Sequence, residues 1–199
     1  MTYNFTGVTS NSATNVTAGQ SQLTVDVLDS GSGTVSFAFG NAGPLASSIT
    51  DIYWDDQAAV LRSMGGMTPS TGVAFSQGAN PGNLPGGNTI GFSVSPTGAS
   101  ADSNSGKPGV MKNGVNPGEW LTIVWTLVAG TTFSDVIAGL DLGGDQAGSL
   151  RVGIHVQGFA NGGSESFVNT PAPVPLPGAA LMLIAGLGAL GAAGRRRRA

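Results

Sequence analysis

The sequence has no cysteine, one histidine and two lysines, and only 10% of its 199 residues are charged. Absence of cysteine excludes disulfides, thiolate metal centres, cysteine nucleophiles and lipid attachment through a cysteine. Stability therefore rests on the core. The charged fraction is far below the ~25% of an average soluble domain, and long amphipathic helices need a charged face. A mainly helical protein is excluded on that ground, and a hydrophobic content of 40% excludes a fully disordered chain. With 33 glycines and 11 prolines, the composition predicts an all-β domain with many turns.

Charge is divided unevenly. All eleven acids precede residue 170, against Arg62, Lys107, Lys112 and Arg151, so this part carries −7. Nucleic-acid affinity comes from clustered cations, so no nucleic-acid partner is expected. The other four cations are consecutive, Arg195, Arg196, Arg197 and Arg198.

Four segments follow from the patterning. Residues 1–168 are long enough for one domain with a core. Residues 169–177 carry proline at alternate positions from Pro171 to Pro177, which predicts an extended spacer. Residues 178–194 are seventeen uncharged residues, rising ~25 Å as a helix, at the lower limit for a transmembrane span. Residues 195–199 form a basic tail, which predicts a cytoplasmic C-terminus and a body facing outward.

Within the body, Leu23, Val25 and Val27, then Val35, Phe37 and Phe39, alternate with smaller or polar residues around a turn at 29–33, a predicted hairpin. Residues 49–54, 90–94, 121–128 and 151–157 read as further strands. On the last, Val152, Ile154 and Val156 are expected to face inward while Arg151, His155 and Gln157 face solvent. One short helix is expected over 134–140, with Thr132 or Ser134 as its N-cap. The expected fold is a jelly-roll-like β-sandwich, followed by the linker and a single transmembrane helix. Residues 78–89 and 95–118 exceed ordinary connections and are expected to be functional or disordered.

Several constellations suggest chemistry. Asp51, Asp55 and Asp56 flank Tyr53 and Trp54, and Asp141 and Asp145 flank Leu-Gly-Gly. Hard oxygen ligands on glycine-rich turns suit Ca²⁺, which makes these five the candidate metal ligands, although no EF-hand or Gly-Gly-x-Gly-x-Asp repeat is present. Asp102-Ser-Asn-Ser-Gly106 begins like a calcium loop and fails at Lys107-Pro108. Trp54 is the candidate aromatic for stacking on a sugar, whereas Trp120 and Trp125 are expected in the core. His155 has no metalloprotease or serine-hydrolase motif around it, so no catalytic residue is expected and the chain reads as a non-enzyme. Gly186-Leu-Gly-Ala-Leu-Gly191 matches a dinucleotide fingerprint by letter, but it lies in the apolar tail with no strand before it and no acid after it.

The tail is the specific signal. Val174-Pro175-Leu176-Pro177-Gly178, an apolar span and Arg195–Arg198, in that order, resemble the PEP-CTERM sorting signal in its VPLPA-type variant, with Gly178 in place of the usual Ala. The resemblance implies a Gram-negative bacterial protein that is exported, held transiently in the inner membrane, and recognised and cut near the motif by an exosortase, a membrane cysteine protease. It further implies a surface or extracellular-matrix role connected with exopolysaccharide and biofilm. Two alternatives use the same delivery: a carbohydrate- or Ca²⁺-binding module, and a glycoside hydrolase-like enzyme. Export also calls for an N-terminal signal peptide. Residues 1–19 read instead as the first strand of a mature domain, so the signal is expected upstream of Met1.

Overall fold

The computed structural model describes residues 1–101, 105–107 and 110–171. The elements are β1 (Thr2–Gly7), α1 (Ala13–Gln22), β2 (Leu23–Gly31), β3 (Thr34–Asn41), β4 (Ser48–Asp56), β5 (Leu61–Pro69), β6 (Phe75–Gln77), a 3-10 turn (Gly87–Ile90), β7 (Gly98–Ala101), β8 (Ser105–Lys107), β9 (Val110–Met111), β10 (Trp120–Leu127), α2 (Phe133–Leu142), β11 (Leu150–Gln157) and β12 (Glu165–Asn169).

Ten strands form one antiparallel sheet in the order β5-β10-β3-β2-β1-β12-β11-β4-β7-β6, and β8 and β9 form a separate ribbon. The predicted hairpin is present as β2–β3, and its turn places Gly31, Ser32 and Gly33 all at positive φ, where two glycines avoid the Cβ clash. Strand β1 joins the two halves. Thr2–Asn4 pair with β2, whereas Phe5–Gly7 pair with β12.

The sheet folds over so that its halves face one another. Trp54 on β4 meets Phe37 and Phe39 on β3 and Trp125 on β10, at centroid distances of 5.7, 5.9 and 5.1 Å in edge-on geometry. The terminal strands β5 and β6 are consecutive in the chain and also touch, so the sheet comes close to closing into a barrel. Instead of two separate jelly-roll sheets, the chain forms one continuous sheet around one core. The inward residues of β2, β3, β10 and β11 are those the alternation predicts.

There are two helices among the described residues, not one. At α2, Thr132 is the N-cap, and the Asp135 carboxylate accepts its backbone N–H (2.7 Å) and its hydroxyl (2.8 Å). These bonds hold the exposed Asp135 carboxyl below the usual carboxylate value. Helix α1 was not expected from Ala-Thr-Asn-Val-Thr-Ala-Gly-Gln-Ser-Gln, which has no charge and little amphipathicity. Tertiary contacts hold it. The distant Glu165 carboxylate accepts the N–H groups of Asn11 (3.1 Å) and Ser12 (2.7 Å) at its start. At the other end, Gln22 Nε2 donates to Asn41 Oδ1, Leu45 O and Ser47 Oγ.

Residues 90–94 do not form the expected strand. Gly86 and Gly91, both left-handed, bracket a 3-10 turn instead. This connection, 78–97, is neither disordered nor a free loop. Leu84 and Phe92 pack over Tyr53 on the outer face of β4 as a second, smaller core. Gly153 on β11 makes room for it, since a Cβ there would sit 2.9 Å from Leu84 Cδ2 and 3.0 Å from Phe92 Cζ. Of residues 95–118, β7 joins the main sheet through β4 and β6.

Among the described residues no helix is long and apolar enough to cross a membrane. The predicted span 178–194, and the linker beyond Pro171, lie outside the described residues.

Candidate functional site

Polar side chains concentrate on the outer face of β4 and β11, beneath the 78–97 connection. The register sets Asp51 opposite His155, Tyr53 opposite Gly153 and Asp55 opposite Arg151. Arg151 and His155, expected in solvent, are only 3% and 7% exposed: the connection covers Arg151 through Ile90, Gly91 and Phe92, and His155 lies against Asp51.

Arg151 ties that cover down. Its guanidinium pairs with Asp55, donates to Ile90 O (2.7 Å) and Gly91 O (2.8 Å), and lies 5.3 Å from the Phe92 ring centroid. Asp55 also accepts the Ser93 N–H at 3.2 Å. Both charges are thus used to fasten residues 90–93 to the sheet.

The Asp51 carboxylate accepts Ser100 Oγ (2.6 Å) and Thr50 Oγ1 (2.9 Å) and lies 3.2 Å from His155 Nδ1. Serine, histidine and aspartate meet here, yet Ser100 donates to the carboxylate. A nucleophilic serine must instead bond to the imidazole that removes its proton. Burial and the nearby Asp51 charge push the Tyr53 hydroxyl well above its ordinary range, which keeps it a neutral donor, and it donates to Pro81 O at 3.1 Å.

The structure does not bring the five candidate metal ligands together. Asp51 and Asp55 are engaged as described. Asp56 accepts the N–H groups of Val60 (3.2 Å) and Leu61 (2.7 Å), and burial raises its carboxyl above the usual value. Asp141 accepts the Tyr3 hydroxyl at 2.9 Å, and Asp145 accepts Gln57 Nε2 at 2.7 Å. Among the described residues, no three His, Cys, Asp or Glu side chains converge in a manner that would hold a metal ion. Asp102 lies outside the described residues.

Trp54 is not available for stacking on a sugar. It is fully buried at the centre of the core, because the even positions of β4 point inward. Trp125 is buried as expected, but Trp120, also expected in the core, is 44% exposed at the start of β10.

The sorting residues Val174, Pro175, Leu176, Pro177, Gly178 and Arg195–Arg198 lie outside the described residues, just beyond the point where the folded body ends. There the Thr170 N–H donates to Asn4 O (2.9 Å), and Pro171 packs at Gly143. A proline motif, an apolar run and an arginine cluster in this order have the form of a C-terminal sorting signal. The tail is the PEP-CTERM protein-sorting motif, whose family model matches residues 173–198. No curated protein and no solved structure matches the chain. The family match covers the proline motif, the apolar run and the arginines together, and leaves the β body unassigned.

Proposed function

We propose that this chain is an exosortase substrate, delivered to the cell surface or the extracellular matrix, whose β body is a non-enzymatic structural component associated with exopolysaccharide. The match of residues 173–198 to the sorting motif carries the delivery half of this reading. The VPLPA-type variant, with Gly178 replacing Ala, is the form we assign to it. The apolar run holds the chain transiently in the inner membrane, and the arginines stop its transfer.

The non-enzymatic half is supported by the use of the polar groups. Asp51, Asp55, Asp56 and Arg151, the charges that a hydrolase site would draw on, are committed to backbone and cross-strand partners. Glycoside hydrolysis needs two carboxyl groups facing a sugar across a cleft, and these face protein. A carbohydrate-binding reading survives on a different residue from the one the sequence suggested, the half-exposed Trp120. The Ca²⁺ reading finds no comparable support.

Intact-mass measurement of the protein from its native host tests the proposal. The expected mature chain lacks residues 178–199, with the cut between 174 and 180. Recovery of membrane-bound chain still ending in Arg198-Ala199 would identify a plain anchor instead.

A further inference from the structure

The two halves of the sheet differ in what lies over their outer faces. On β4 and β11 the outward residues Tyr53, Asp55 and Arg151 are buried, and the 78–97 connection packs there. On β2, β3 and β10 the outward residues Thr24, Asp26, Ala38, Gly40, Thr122 and Val124 stay half-buried, within reach of solvent. These side chains are small. The large ones on this face are Trp120 at one end and Leu28 toward the other, 44% and 52% exposed.

The register sets Trp120 at the head of a row. It stands opposite Gly40 on β3, Gly40 opposite Thr24 on β2, and Thr24 opposite Asn4 on β1. Directly opposed residues share a face and neighbouring strands lie ~4.8 Å apart, so the row runs ~14 Å. Gly40 has no side chain to cover the indole, and the space a Cβ would take there is 3.5 Å from Thr24 Oγ1. The Thr24 hydroxyl and the Asn4 amide make no side-chain hydrogen bond among the described residues. In the next row Thr122 and Asp26 flank Ala38; the Thr122 hydroxyl is likewise unengaged, and the Asp26 carboxylate accepts the Thr2 hydroxyl.

We propose that this face is a platform for a neutral polysaccharide, whose sugar rings stack on Trp120 and whose hydroxyls bond to Thr24, Asn4 and Thr122. The charge pattern selects this occupant. The two rows hold no cation and one carboxylate, Asp26, and the cation of β5, Arg62, lies at the end of that strand away from Trp120. An anionic polymer would find no counter-charge here, on a body that carries −7. A protein partner needs an apolar interface core around its aromatic anchor, and the residues beside Trp120 on β10 and β3 are Gly40, Ala38 and Thr122. A sugar has what this face can use: C–H groups that pack on an aromatic ring, and hydroxyls that both donate and accept. The platform rests on the reading of the body as a surface component that meets exopolysaccharide, and adds to it the face and the class of polymer.

Native electrophoresis of the detergent-solubilised full chain tests it, in gels that contain hydroxyethylcellulose, laminarin, dextran or alginate. At least one of the three neutral glucans is expected to retard the chain, and the anionic alginate is not. Trp120→Ala should raise the apparent Kd for that glucan about five- to tenfold, whereas Trp120→Tyr, which keeps an aromatic ring, should retain most of the binding. Thr24→Val, which removes a hydroxyl at nearly constant shape, should raise it about threefold. Leu142→Ala removes a similarly exposed apolar side chain on α2 and should change nothing. These positions all reach solvent, and emission from the buried Trp54 and Trp125 shows that each variant is folded. Absence of retardation by all three neutral glucans, or equal retardation by alginate, overturns the platform. Retardation that Trp120→Ala leaves unchanged keeps the association with polysaccharide and overturns this face. Reducing ends released from a glucan whose retention depends on Trp120 refute the non-enzymatic reading alone and leave the platform standing.

Discussion

Replacing Arg151 with Ala removes the cation that fastens the 90–93 segment to the sheet. Asp55, 2% exposed, is then left in a dry site with only the Ser93 N–H opposite it. Breaking a buried ion pair from one side costs about 3–5 kcal/mol, because the remaining charge is uncompensated. The carbonyls of Ile90 and Gly91 lose their donors at the same time, a cost of about 1 kcal/mol each that overlaps with the first. Against the ~5–15 kcal/mol of a typical domain, this is about a fifth or more of the stability. Trp54 and Trp125, both fully buried, report unfolding by fluorescence, so urea titration of the detergent-solubilised chain measures the loss. The double variant Arg151→Met with Asp55→Leu removes both charges and is expected to recover most of it, to within about 2 kcal/mol of the parent. Hydrogen exchange should show residues 84–94 opening first in Arg151→Ala. A loss below about 1 kcal/mol, or a double variant no better than the single, would refute the fastening role.

Two further predictions follow from particular contacts. Burial raises the Asp56 carboxyl above its unfolded value, so the native state binds a proton more tightly there than the unfolded chain does. The Asp56 contribution to stability is then fully present below the ordinary carboxylate pKa and is lost as pH rises through the raised value; Asp56→Asn should flatten the stability profile across that window, and an unchanged profile would refute the assignment. Gly19 on α1 packs against the tip of the Phe167 ring, with Phe167 Cζ only 2.2 Å from the position of a Cβ. Gly19→Ala, ordinarily favourable in a helix, should instead cost about 1–3 kcal/mol by overpacking, read as a lowered urea midpoint; a stabilised variant would show that the ring can move aside.

What the sequence makes legible is what depends on neighbours along the chain. The β2–β3 hairpin, β10 and β11 each show a period-two pattern over a few residues, and α2 shows its cap in Thr132 and Asp135. What it hides depends on residues far apart. Helix α1 has no strong local preference and is held at its start by Glu165, more than 150 positions away, which accepts the N–H groups of Asn11 and Ser12 just before the helix. The burial of Arg151 and His155 depends on a second layer that alternation along β11 cannot reveal. A signal did exist, since Leu84, Ile90, Phe92 and Val94 are more large apolar side chains than a free surface connection would carry. Trp54 was misplaced for a related reason. Three aspartates close by suggested solvent, but Asp51 and Asp55 lie on the opposite face of the strand from Trp54, and that face is covered too.

The same contrast separates the tail from the body in what their residues say about function. A sorting motif is a contiguous stretch, so its order of proline run, apolar run and arginines can be found in a single sequence. A binding or catalytic site in a folded sheet is a juxtaposition. Here the juxtapositions that form on β4 and β11 consume the charges that sequence reasoning reserved for a ligand: Asp55 takes Arg151, Asp51 takes Ser100, Thr50 and His155, and Asp56 takes two backbone N–H groups. With so few charges in the chain, using them inside leaves little for chemistry outside. Outside the core, Trp120 stays half-exposed at the start of β10 and an apolar groove lies beside α2.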